Sequence, residues 1–177
     1  MPVAYNNEVE IKINRLKNWF SDQNFTNVEL IENISPANDK YPDYVVVYEA
    51  VFKPKDLETL QVEVWIEETG NIGIGVETWP RVLERFGKSV ESVRFAGGHE
   101  PVPMDIDQLL AILKIISDGC VAIQRGGTSL FNLYNFKVLI SSDDMDGLST
   151  AGYPYLDFLS SIDKIPENHS ILKFNKW

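Results

Sequence analysis

The sequence predicts an α+β fold: a mainly antiparallel β-sheet of four to six strands with a meander core, and two main helices packed on one face. Three observations lead to this prediction. Apolar and polar residues alternate along residues 60–67 and 72–77, the period of a half-buried strand. Apolar residues recur at spacings of three and four in residues 7–21, and they nearly fill the surface of a second helical segment, residues 105–117. Short connections between successive strands favour antiparallel pairing.

The first half of the chain contains one predicted helix and four predicted strands. The helix covers residues 7–21, and Asn7 with Glu10 three residues later has the form of an N-terminal cap. The strands are expected at residues 27–34, 43–52, 59–67 and 72–78. The second of them is apolar on both faces apart from Glu49, which predicts a central position in the sheet.

The second half is less regular. Asp105 is expected to cap the helix over residues 105–117, which either ends at Gly119 or continues through Val121 towards Gly126. The remaining predicted elements are a helix from Pro80 to Gly87, strands at 89–95, 134–141 and 170–175, an acidic loop at 143–147 and a short helix at 154–163. Neither a repeat nor a linker divides the chain, so residues 1–177 are predicted to form a single domain.

The charge composition indicates which kinds of molecule the protein could bind. The formal net charge is −10, from 26 acidic and 16 basic residues. This balance argues against nucleic-acid binding, which needs a basic footprint, and against docking on anionic membranes. It favours association with a basic protein partner through electrostatic steering.

The cysteine content and the N-terminal segment predict a cytoplasmic location. Cys120 is the single cysteine, so an intrachain disulfide and a cysteine metal cage are both excluded. The first residues lack the basic and apolar regions of a signal peptide, and no apolar run approaches the roughly 20 residues of a membrane helix.

Motifs that would indicate catalysis, a cofactor or a metal are incomplete. The glycine-rich segment with glycines at 70, 73 and 75 resembles a dinucleotide fingerprint in part. Glycines 73 and 75 would be its first two, but the position of its third glycine is occupied by Thr78. Aligning Gly147 with the invariant glycine of a calcium loop puts Tyr153 where the bidentate glutamate belongs. His99 and His169 are too few for a three-histidine site. We therefore assign no catalytic residue, cofactor or metal, and favour a protein that is not an enzyme.

The hairpin at residues 60–77 gives the main functional indication. A three-residue turn, 69–71, would set Trp65 opposite Gly75 and Glu63 opposite Glu77. Like charges directly opposite each other cost roughly 0.2–1 kcal/mol. Such a pairing suggests a sheet face selected for something besides stability.

The resulting prediction is a non-catalytic binding protein that masks a basic protein partner, such as an inhibitor or a toxin-neutralising immunity protein. The predicted contact residues are Glu63, Trp65, Glu67, Glu77, Asp143, Asp144 and Asp146. One alternative is a small enzyme or ligand-binding domain, with Tyr48, Glu49 and His99 lining a pocket between sheet and helices. A second alternative is a structural homodimer that forms through the sheet face carrying Trp65.

Overall fold

The structure, a computed structural model, describes residues 6–34, 45–76, 94–95, 104–128, 133–141, 156–159 and 171–177. The helices in these ranges are α1 (Asn7–Gln23) and α2 (Ile106–Ser117). The strands are β1 (Val28–Ile34), β2 (Val46–Pro54), β3 (Val62–Glu67), β4 (Ile72–Val76), β5 (Arg94–Phe95), β6 (Val121–Thr128), β7 (Leu133–Ser141), β8 (Leu156–Leu159) and β9 (Ile171–Lys173).

The strands form two sheets, and the α+β prediction is confirmed. The first sheet has the order β1-β2-β3-β4, and each neighbouring pair is antiparallel, as a meander requires. The second sheet has the order β5-β7-β6-β9, and β8 also pairs with β7. In this sheet β7 pairs in parallel with β5 and with β8. The first sheet positions the candidate site.

Helix α1 begins at Asn7, as the sequence predicts, but its cap lies one residue before the predicted one. The cap is Asn6, whose side chain accepts a hydrogen bond from the Glu8 backbone N–H at 3.2 Å. This bond satisfies one of the donors left open at a helix N-terminus. The helix ends at Asn24, which adopts a left-handed conformation with φ 52°.

Helix α2 has the predicted N-terminal cap. The Asp105 carboxylate accepts from the Gln108 N–H at 2.8 Å, and the Gln108 side chain accepts from the Asp105 N–H at 3.1 Å. Gly119 follows the helix with φ +77°, a conformation that glycine adopts without strain. Of the two interpretations left open by the sequence, continuation of the helix through Val121 is wrong, because residues 121–128 form β6.

Both helices pack on one face of the first sheet, as predicted, and we call this the inner face. Even-numbered residues of β3 lie on it because side chains alternate along a strand. The buried core joins residues of α1 and α2 to this face; its fully buried members include Leu16, Phe52, Val64, Ile66, Leu109, Ile112 and Ile116.

An aromatic cluster closes one part of the core and involves the segment 171–177. The Trp177 ring stacks on Phe52 at a centroid distance of 5.1 Å and meets Phe25 edge-on at 5.4 Å. Its indole N–H donates to the Leu60 carbonyl at 3.1 Å, and its backbone N–H donates to Ser117 at 3.0 Å. Trp177 therefore links α2 to the first sheet.

Three of the elements predicted for the less regular second half have different outcomes. The helix expected at 154–163 is wrong at its centre, where Leu156–Leu159 form β8 in parallel with β7. A short apolar run has the same appearance in a buried strand and in a buried helix. The helix from Pro80 to Gly87 and the acidic loop 143–147 lie outside the described residues.

None of the helices in the described ranges has the length and apolar character needed to cross a membrane.

Candidate functional site

The β3–β4 hairpin has a different register from the predicted one. Glu63 lies opposite Gly75 and Trp65 lies opposite Gly73, so the predicted opposition of Glu63 and Glu77 is wrong. The apolar residues still share the inner face, with Val64 opposite Ile74. A register shift of two residues keeps every side chain on its face, so the alternation alone does not distinguish the two registers.

The turn explains the observed register. Its loop is 68–70 instead of 69–71, closed by a hydrogen bond from the Glu67 N–H to the Asn71 carbonyl at 2.9 Å. The Gly70 N–H donates back to the Glu67 carbonyl at 2.9 Å. Gly70 has φ +88°, the left-handed conformation that the last position of such a three-residue hairpin loop requires. Placing glycine at that position fixes the pairing.

The Glu67 carboxylate stabilises this turn through hydrogen bonds. It is only 6% exposed, and its Oε2 accepts hydrogen bonds from the Thr69 hydroxyl and the Asn71 amide, both at 3.0 Å. These bonds compensate for burial of the carboxylate and brace the loop from within. The partner contact predicted for Glu67 stays a prediction, but the observed contacts make it a positioning residue of the hairpin.

Trp65 lies on the outer face of the first sheet, opposite the helices, and is 3% exposed. Its indole covers Gly73 on the neighbouring strand: a Cβ added at Gly73 would lie 2.1 Å from Trp65 Cε2. Val46 completes the packing. The sequence indicates an aromatic ring over a glycine; the glycine is Gly73, not Gly75. The ring is therefore buried, and the partner contact predicted for Trp65 stays a prediction.

The other residues predicted for the site do not come together in one place. Glu63 is half-buried on the outer face, and Glu49 is 6% exposed there, with the Asn33 amide 3.5 Å from its Oε2. Tyr48 points to the inner face, where its hydroxyl donates to Glu32 Oε1 at 2.8 Å. Tyr48 and Glu49 thus face opposite sides of the sheet and do not line one pocket. Outside the described residues lie His99, Glu77, Asp143, Asp144 and Asp146.

A second group of charged residues surrounds the hairpin turn and was not found from the sequence. Lys12 Nζ on α1 donates to Glu8 Oε1 at 2.6 Å and to the Gly70 carbonyl at 2.8 Å. Arg15, three residues further along α1, donates to the carboxylate of Asp107 in the first turn of α2. The two cations therefore tie α1 to the hairpin turn and to α2. The Arg15–Asp107 contact joins residues 92 positions apart, a separation that no local pattern predicts.

In both ion pairs the carboxylate is the more exposed member. The Glu8 side chain is 62% exposed against 15% for Lys12, and Asp107 is 76% exposed against 42% for Arg15. Other ion pairs in the described part of the chain are more evenly exposed, such as Lys114 and Asp118 at 52% and 45%. Exposed Glu68 at the tip of the hairpin and exposed Asp105 add to this surface. We call Glu8, Glu68, Asp105 and Asp107 the turn-end rim.

The paired carboxylates of the rim are charged at neutral pH. The hydrogen bond from Lys12, together with its charge, holds the pKa of Glu8 below its ordinary value. The hydrogen bond from Arg15 and its charge do the same for the pKa of Asp107. The pKa of the Arg15 guanidinium is raised in return, chiefly by the hydrogen bond to Asp107. Glu8 and Asp107 therefore keep their negative charge to a lower pH than they would without these partners.

The inner face has its own charged contact, which gives a testable pH dependence. Glu32 accepts hydrogen bonds from Tyr48 and from Lys17, whose Nζ lies 2.9 Å away. Desolvation, the largest single effect, raises the pKa of Glu32, but the hydrogen bonds from Lys17 and Tyr48 together lower it.

Replacing Tyr48 by phenylalanine is expected to lower the free energy of unfolding by about 1 kcal/mol at pH 7. Because the folded-state pKa of Glu32 is lowered, this contribution is full above the unfolded pKa of a glutamate, about 4.3, and is lost as the pH falls through the folded value. Urea unfolding of both proteins between neutral and acid pH measures the difference. A difference that is constant across this range would contradict the role of Glu32.

The described residues contain no group of three or more histidine, cysteine, aspartate and glutamate side chains that could hold a metal ion. The exposed carboxylates at the hairpin end offer charge complementarity to a cationic group. Comparisons with protein-family models, curated proteins and solved structures found no match to this chain.

Proposed function

We propose that the protein is a non-catalytic binding protein of the cytoplasm that masks a basic protein partner, as an inhibitor or a toxin-neutralising immunity protein does. One observation carries the proposal: in both ion pairs of the turn-end rim the carboxylate is more exposed than the cation that it pairs with. The net charge of −10 adds a long-range attraction for a basic protein. Such complementarity accelerates encounter and selects the orientation of binding.

Within the rim, Glu68 is the residue that best separates binding from stability. Asp105 and Asp107 lie at the N-terminus of α2, and Glu8 lies in the first turn of α1, where negative charge stabilises a helix irrespective of any partner. Glu68 has no such role, because it is exposed at the hairpin tip. Lysine or arginine side chains of the partner would pair with Glu68 and with the outer oxygens of the other three carboxylates.

The predicted residues on the hairpin then divide by role. Trp65 and Glu67 are buried and hold the hairpin that presents Glu68, so their contribution to binding is indirect. Glu63 is half-buried on the outer face and would extend the contact from the tip along β3. Glu77 and the three aspartates at 143, 144 and 146 remain proposed parts of the same footprint.

Reversal of one rim charge tests the proposal. The immobilised protein is used to capture partners from a lysate of its source at low salt, and the affinity of the captured protein is then measured for Glu68→Lys. We expect a basic partner and an affinity about tenfold lower for the variant, equivalent to about 1.4 kcal/mol. The wild-type affinity should also fall as salt is added.

The matched control is Asp22→Lys, which makes the same charge change at an exposed position near the other end of α1. This variant should bind almost as well as wild type. Equal losses in the two variants would mean that only net charge matters, and the rim would not be the site. Capture of partners that are not basic would contradict the function itself.

A further inference from the structure

Strand β1 is the edge strand on one side of the first sheet. Its seven residues pair with β2 without irregularity, from Val28 opposite Pro54 to Ile34 opposite Tyr48. No other strand in the described ranges pairs with the second edge of β1. The sheet therefore presents a row of backbone donors and acceptors along this edge.

Several of the usual protections are missing from this edge, and the charges it carries are the two glutamates Glu29 and Glu32. Natural edge strands are commonly blocked by proline, by lysine, by a bulge or by being very short. The sequence of β1, Val-Glu-Leu-Ile-Glu-Asn-Ile, contains neither proline nor lysine, and its ladder with β2 has no bulge. Ile31 is 42% exposed and Ile34 is 63% exposed, on opposite faces of the strand. Such an edge is suited to pairing with another strand.

We propose that β1 pairs antiparallel with β1 of a second copy of this chain, about a two-fold axis that lies between the two copies of Ile31. The two four-stranded sheets would join into one sheet of eight strands, with the helices of both copies on the same side. A two-fold interface of this kind uses the same surface on both subunits and must be self-complementary.

The register follows from the length and charge of the strand. Opposed residues of an antiparallel pair share a face and the helices of both copies lie on one side, so the axis must lie between one residue and its own copy. Centring on Ile31 pairs all seven positions of β1, from Val28 with Ile34 inwards. Centring on Glu32 would set this carboxylate against its own copy, and centring on Leu30 would leave Asn33 and Ile34 beyond the partner strand.

The side chains complement one another in this register. On the outer face Ile31 meets its own copy, and the Glu29 carboxylate lies opposite the Asn33 amide, which can donate to it. On the inner face Leu30 lies opposite Glu32. No carboxylate of β1 is opposed by another carboxylate, and the two exposed isoleucine side chains at the axis become buried against each other.

The dimer responds to salt in the opposite way from the complex with a basic partner. Each copy carries a formal charge of −10, so two copies repel each other at low ionic strength. Added salt screens this repulsion and should strengthen the dimer, whereas it should weaken binding of a basic protein. The two proposals can therefore succeed or fail separately.

Light scattering during size-exclusion chromatography tests the dimer at increasing salt. We expect the mass to rise towards twice the 20.1 kDa of the chain, and Ile31→Lys to keep the mass at that of one chain. The matched control is Ile11→Lys, the same substitution at an isoleucine that is 51% exposed on α1, which should dimerise like wild type. A thermal melt of each variant shows that the fold is retained. A monomeric wild type at every salt concentration overturns the proposal.

A cross-link tests the register. Ile31→Cys, combined with Cys120→Ser to remove the native thiol, places one thiol of each copy beside the axis. A short bismaleimide should then link the two chains of this variant and leave Ile11→Cys in the same background unlinked. A dimer in which position 31 does not cross-link, or cross-links no better than position 11, would rule out pairing through β1.

Discussion

Replacing Trp177 by alanine is expected to lower the free energy of unfolding by about 3–5 kcal/mol. The indole is 7% exposed, stacks on Phe52 and meets Phe25 edge-on, so the truncation would open a cavity inside the aromatic cluster. It would also leave the buried Leu60 carbonyl without the indole N–H. Since small domains have about 5–15 kcal/mol of stability in total, this single change removes a large part of it.

Trp177→Phe separates the two contributions. Phenylalanine keeps a ring against Phe52 but cannot donate to Leu60, so we expect a smaller loss of about 1–3 kcal/mol. Urea unfolding followed by circular dichroism measures both variants, with the midpoint giving stability and the slope checking that the unfolded state is unchanged. A loss below about 1 kcal/mol for Trp177→Ala would contradict the burial of this ring.

Gly73→Ala is the second substitution with a large expected effect, about 1–3 kcal/mol of destabilisation. The added methyl group would lie 2.1 Å from Trp65 Cε2, so the indole or the strand must move. Neither moves easily, because the ring is 3% exposed and Gly73 is held in the ladder opposite it. Loss of the hairpin geometry should also weaken partner binding, since Glu68 lies at its tip.

A double-mutant cycle isolates the cause of this effect. In a Trp65→Ala background the obstacle is gone, so Gly73→Ala should cost close to nothing. Urea midpoints of the four proteins give the coupling energy between the two positions. If Gly73→Ala costs the same in both backgrounds, the contact between the indole and the glycine does not determine the fit of the hairpin.

Much of the first sheet could be predicted because its signals are local. The alternation in β3 and β4, the helical spacing in α1 and the Asp105–Gln108 cap of α2 each lie within a few residues. Short connections then fixed the antiparallel order of four strands. The second sheet was harder, since β8 pairs in parallel with β7 and the four residues Leu156–Leu159 are too few to show a period.

The candidate site was less predictable because it depends on the backbone of one glycine and on distant pairs. Gly70 in the left-handed conformation moves the loop by one residue, which shifts the partner of Glu63 from Glu77 to Gly75. The preference for glycine at the end of a three-residue loop was the signal that could have corrected the register. The rim depends on Arg15 meeting Asp107, a contact that exists only after α1 and α2 have packed.

The position of Trp177 also bears on the order of events during synthesis of the chain. Leu60, Phe52 and Phe25 leave the ribosome long before Trp177, which lies 117 residues beyond Leu60. At a synthesis rate of about 5–20 residues per second, several seconds or more pass before Trp177 can complete the aromatic cluster. During that interval the apolar surface of Phe52 and Phe25 that Trp177 later covers has no such cover. The core of the first sheet is thus completed late in synthesis, because the Trp177 side chain that packs on it is encoded far along the chain from its strands.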